Sequence, residues 1–138
     1  MRTLTAVLMM TMVVGLPGSV LAKSNPQLDP PTILQCAFNG PSPTIDWSDV
    51  TSATKYSVEV IAGYDTGGPD ASADVYITFS YTTVASALDL PFSALSYDFG
   101  SGPISPVSVE VQVKGLNPPG KSQNNPFNDL YPCTLPAA

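Results

Sequence analysis

The chain contains no histidine, and Arg2 is its only arginine. Without imidazole there is no Ser-His-Asp or Cys-His nucleophile and no histidine-ligated zinc. Charged residues make up only 12% of the chain, and the lysines Lys23, Lys55, Lys114 and Lys121 are scattered. A phosphate backbone is gripped by clustered cations, so nucleic acid and anionic membrane are poor partners. Two cysteines are too few for a structural thiolate site. No G-x-S-x-G, phosphate-cradling loop or dinucleotide fingerprint occurs, so no cofactor is expected. Helical apolar periodicity is missing after residue 22.

Long apolar runs are scarce as well. The one at Ala6–Val14 follows Arg2 and precedes "GLPGS" and "VLA". It is shorter than the about 20 residues of a membrane span. A charged start, a short apolar run and small residues at Val20 and Ala22 form a signal-peptide pattern. Residues 1–22 are therefore expected to be removed and 23–29 to form a flexible leader. The domain occupies 30–138, with no integral membrane segment. The mature chain would hold 138 − 22 = 116 residues with a net charge of 4 − 11 = −7, a size expected of one domain and, here, a monomer. Secreted or periplasmic placement follows. In such an oxidising compartment Cys36 and Cys133 are expected to bridge.

Proline and glycine clusters punctuate the chain, among them "NGPSP", "TGGPD", "FGSGP" and "NPPG". Between them three runs alternate with period two. Tyr56, Val58, Val60 and Ala62 share one face, as do Val75, Ile77, Phe79 and Tyr81, and Val107, Val109, Val111 and Val113. Such alternation marks strands with one buried and one wet face. Weaker strands are expected at 32–38, 44–47, 85–90 and 130–135. Seven short strands bounded by turns predict an all-β fold, an antiparallel two-sheet sandwich. Trp47, the only tryptophan, and Tyr56 are expected to face its core, with the indole N–H finding one partner.

Two segments carry a family resemblance. "IDWSDVTSATKYSVEV" has an apolar residue, Trp47, a short turn with Ala53, then Tyr56 and alternating valines. "VSVEVQVKGLNPPGKSQ" places Val113, Gly115, Asn117 and Gly120 in a strand-to-loop order. Together they resemble the second-to-third-strand and sixth-strand segments of fibronectin type III domains, over about a third of the mature chain. The resemblance implies an immunoglobulin-like sandwich and recognition through the loop after the sixth strand. The chain departs from the pattern at Val109, where the family carries a core tyrosine, and in the length of the 83–105 connection.

Candidate sites are few. Asn117, Lys121, Gln123 and Asn124 form a candidate recognition loop with hydrogen-bonding capacity. Asp65, Asp70 and Asp74 flank a Gly-Gly turn and are a weak candidate for a hard cation, although their spacing matches no EF-hand. Glu59 and Glu110, the only glutamates, fall on outward strand positions and are the pair a small hydrolase would use. Tyr97, Phe99, Phe127 and Tyr131 offer rings that either stack on sugars or pack at a sandwich edge. Three functions follow. The leading one is an exported, non-enzymatic module that binds a protein or cell-envelope component. A stand-alone carbohydrate-binding module would show exposed, coplanar aromatics. A hydrolase would show two acids in one cleft.

Overall fold

A computed structural model describes residues 29–118 and 124–137. The signal-peptide reading at 1–22 and the leader up to residue 28 lie outside those residues, as do Lys121 and Gln123. Among the described residues nine strands follow one another: β1 (Ile33–Cys36), β2 (Ile45–Trp47), β3 (Lys55–Tyr64), β4 (Val75–Thr83), β5 (Ala87–Leu88), β6 (Tyr97–Asp98), β7 (Pro103–Ile104), β8 (Ser108–Leu116) and β9 (Tyr131–Pro132). Among the described residues the only helical element is a 3₁₀ turn, Phe92–Leu95. The fold is all-β. None of the described residues forms a helix long and apolar enough to cross a membrane.

The strands form three antiparallel sheets, ordered β1-β2-β5, β4-β3-β8-β9 and β6-β7. The long strands pair without slips, β3 with β4 from Tyr56↔Thr83 to Tyr64↔Val75, and β3 with β8 from Lys55↔Leu116 to Gly63↔Ser108. A one-residue slip would turn the valine face outward. Tyr56, Val58, Val60, Ala62 and Tyr64 of β3 and Val109, Val111 and Val113 of β8 are buried. So are Ile33 and Cys36 of β1 and Ile45 and Trp47 of β2, in the same apolar cluster. Inward residues of β4 (Ile77, Phe79 and Tyr81) pack at its margin, half-buried.

Trp47 is 1% exposed and meets Tyr56 edge-on, with ring centroids 5.5 Å apart. The Tyr56 hydroxyl accepts the Val50 N–H at 2.9 Å and so holds the turn between β2 and β3. The expected partner for the indole is not there: among the described residues Trp47 Nε1 has no hydrogen bond. An unpaired buried donor costs about 1–3 kcal/mol, less than the about 3–5 kcal/mol that burying so large a side chain contributes.

Two strands more than the seven expected appear, both within the long 83–105 connection. The 3₁₀ turn buries Leu95, whose carbonyl accepts the Tyr64 hydroxyl at 2.6 Å. Desolvation by burial raises the Tyr64 pKa above its ordinary value, which keeps the phenol a donor. The β6–β7 hairpin then turns through Gly100 and Gly102, both with positive φ, while Asp98 Oδ1 accepts their N–H groups at 2.7 and 3.1 Å.

A disulfide joins Cys36 to Cys133 across 97 residues. It lies beside the parallel bridge Ala37↔Thr134, where Phe38 N–H donates to the Thr134 carbonyl at 2.8 Å. The bridge links the three-stranded sheet to the segment that closes the four-stranded one.

Candidate binding surface

The outer face of the four-stranded sheet displays every second residue of β4, β3 and β8. Glu59 stands opposite Gln112, and its carboxylate accepts the Gln112 amide at 2.7 Å. Glu110 stands opposite Ile61, one step along the sheet. The two glutamates therefore lie diagonally across neighbouring strands on one face of the sheet. Glu110 alone lines a shallow hollow of about 410 Å³, together with Tyr76, Val107, Ser108, Pro132 and Leu135.

This hollow is built from the backbone upward. Gly63, in the middle strand, pairs with Tyr76 on one side and Ser108 on the other. A Cβ there would sit 2.5 Å from Ser108 Oγ, 2.8 Å from the Ala73 methyl and 2.8 Å from the Tyr76 ring. Only glycine lets all three close over the strand. Val107 N–H donates to the Gly63 carbonyl at 2.8 Å and fixes the entry to β8. Tyr76 is 61% exposed and Val107 44%. Exposed apolar groups gathered round a single carboxylate make a place where a partner can bury surface.

A second, more polar hollow of about 470 Å³ lies at the other end of the molecule, lined by Asp29, Thr32, Ser48, Asp49, Thr51 and Asn125 among others. It holds two acids, neither of them a glutamate singled out from the sequence. Its lining contains no aromatic residue.

Asp65, Asp70 and Asp74 turn to their own loop. Asp65 accepts the Gly67 N–H at 3.0 Å, Asp70 the Ser72 N–H at 3.2 Å and the Ser72 hydroxyl, and Asp74 the N–H and hydroxyl of Thr66, both at 2.9 Å. The Ser72 bonds hold the Asp70 pKa below the usual carboxylate value, and the Thr66 bonds do the same for Asp74. No group of three potential metal-ligating side chains converges among the described residues.

The candidate recognition loop divides. Asn117 is buried, its N–H donating to Asn124 Oδ1 at 2.9 Å and its amide to Asn125 Oδ1 at 3.3 Å. Asn125, which no sequence signal marked, is 3% exposed and ties the loop to the segment before β1 through the Asp29 carbonyl at 2.8 Å. Asn117 thus faces inward and Asn124 remains at the surface.

The aromatics also divide. Tyr97 and Phe99 are both about 40% exposed, with ring centroids 4.7 Å apart, and both lean on buried Tyr64. Their planes are tilted by 54°, so they do not form one flat face. Phe127 lies under Lys114 Nζ, 4.8 Å from its ring centre.

Set against known proteins, the chain matches no family model, no curated protein and no solved structure.

Proposed function

We propose that this chain is an exported, non-enzymatic binding module that takes a protein or another cell-envelope component as partner. We read its architecture as an immunoglobulin-like sandwich of the fibronectin type III kind. Supporting that architecture are the orders β1-β2-β5 and β4-β3-β8-β9 and the shared core between them. The stretch around Trp47 and Tyr56 points the same way. The disulfide fits an oxidising destination.

The observation that carries the binding role is the hollow beside Gly63, which Tyr76, Val107, Pro132 and Leu135 line together with Glu110. Its chemistry suits a ligand offering an apolar side chain beside a basic or hydrogen-bond-donating group. The test is affinity capture from the native envelope or culture fluid with the protein and its Val107→Asp and Glu110→Lys variants. One partner should be retained by the parent and lost by both variants. Identical capture by all three would remove the hollow from the binding role.

A stand-alone carbohydrate-binding module is the second reading, supported by the exposure of Tyr97 and Phe99 but not by their mutual tilt of 54°. It makes the opposite demand: glycan binding abolished by Tyr97→Ala and untouched by Glu110→Lys.

A further inference from the structure

Sheet edges differ sharply in how they are protected. At one end of the four-stranded sheet, β9 is two residues long and contains Pro132. In the three-stranded sheet β5 is two residues long, and β1 is four residues long with a register shift between Ile33 and Gln35. Short edges, proline and irregular register are the devices by which proteins stop strands from pairing with strangers.

The other edge of the four-stranded sheet, β4, has none of them. It runs nine residues, "VYITFSYTT", without a charge, a proline or a glycine. Its pairing to β3 is regular throughout, and among the described residues no strand pairs on its other side. Tyr76, Thr78, Ser80 and Thr82 are exposed and the residues between them only half-buried. An edge strand of this kind leaves a row of backbone N–H and C=O groups ready for another strand.

The sequence of β4 also says which strand fits. Laid antiparallel on itself about Phe79, it brings inward residues against inward residues and, at the centre, like against like. Phe79 meets Phe79, Ile77 meets Tyr81, Thr78 meets Ser80, Tyr76 meets Thr82 and Val75 meets Thr83. Aromatic–aromatic, aromatic–β-branched and hydroxyl–hydroxyl pairs are those that favour cross-strand contact. Inward residues meet inward residues, so the half-buried Ile77, Phe79 and Tyr81 of each copy gain cover from the other.

We infer that β4 is a self-recognition edge: two copies of this chain pair their β4 strands antiparallel about Phe79 and form one continuous eight-stranded sheet. The contact is isologous and closes at two copies, because the far edge, β9, is too short to extend it. This replaces the monomer expected from composition. It rests on the four-stranded sheet alone and holds whatever ligand the hollow takes.

Sedimentation equilibrium of the chain as recovered from its host tests the inference. The parent should show a monomer–dimer equilibrium that tightens with added salt, because each copy carries excess negative charge that salt screens. Thr78→Lys with Ser80→Lys sets lysine against lysine across the two-fold and should weaken the dimer about tenfold or more. Thr78→Lys with Ser80→Glu sets opposite charges in the same register and should restore it. Circular dichroism and thermal melts of each variant establish that it is folded. A parent that stays monomeric up to about 1 mM overturns the inference. So does a dimer indifferent to the two double variants, since its contact would lie elsewhere.

Discussion

Trp47 and Gly63 show how differently single residues can be read. The inward placement of Trp47 and Tyr56 follows from alternation alone, and both are buried against each other. The idle indole N–H does not follow from it, because a hydrogen-bond partner depends on which acceptors the fold brings to that point of the core. Gly63 sits inside an apolar run, and nothing local sets it apart. Its role comes from Ala73, Tyr76 and Ser108, which closure of the sheet brings over it. Gly63→Ala should therefore destabilise the fold by about 1–3 kcal/mol, read as a lowered urea midpoint. The Tyr76 ring and the Ser108 hydroxyl can swing aside, but the Ala73 methyl cannot. Adding Ala73→Gly should recover part of the loss. No loss in Gly63→Ala would disprove the close approach.

Among elements, the long strands β3, β4 and β8 were legible because each carries four or more alternating residues. The two-residue strands β6 and β7 were not. Too short to show a period, they exist because Asp98, Gly100 and Gly102 close a turn and the Tyr64 hydroxyl anchors Leu95. The connections have an acid-sensitive side. Asp74 secures the β3–β4 loop through Thr66. Asp89 holds the start of β2 through the Ser42 hydroxyl and through Thr44, whose N–H donates at 3.2 Å. The bond from Ser42, then those from Thr44, keep the Asp89 pKa below the ordinary value, as the Thr66 bonds do for Asp74. A carboxyl with a depressed folded pKa binds fewer protons folded than unfolded. Its stabilisation is complete above the unfolded value near pH 4 and is lost as pH falls through the folded one. Urea midpoints should thus fall below about pH 4, and they should fall less steeply in Asp74→Asn and Asp89→Asn. The comparison with the variants separates this effect from the relief of charge repulsion on acidification. Variants as acid-sensitive as the parent would show that these contacts are not the cause.

For the whole molecule the decisive link is Cys36–Cys133. It crosses from the end of β1 to the residue after β9, and the backbone bonds Cys133 N–H to Val109 and Thr134 N–H to Cys36 flank it. Closing a loop of 97 residues constrains the unfolded chain, which corresponds to about 4–5 kcal/mol. Cys36→Ser with Cys133→Ser should lower stability by that order in urea unfolding and speed amide exchange at 131–134 first. A double variant as stable as the parent would mean that the flanking hydrogen bonds suffice. By itself the sequence determined the β class, the inward faces of the long strands and which two sulfurs were there to pair, because period-two patterning and cysteine parity are local or compositional facts. Only the tertiary structure decided that Asn117 turns inward, that the loop aspartates bond within their own loop, that Glu59 and Glu110 fall diagonally on one sheet face and that, among the described residues, β4 has no strand on its outer side. Each of those depends on strand order and register, and so on which distant residues the sheets bring side by side.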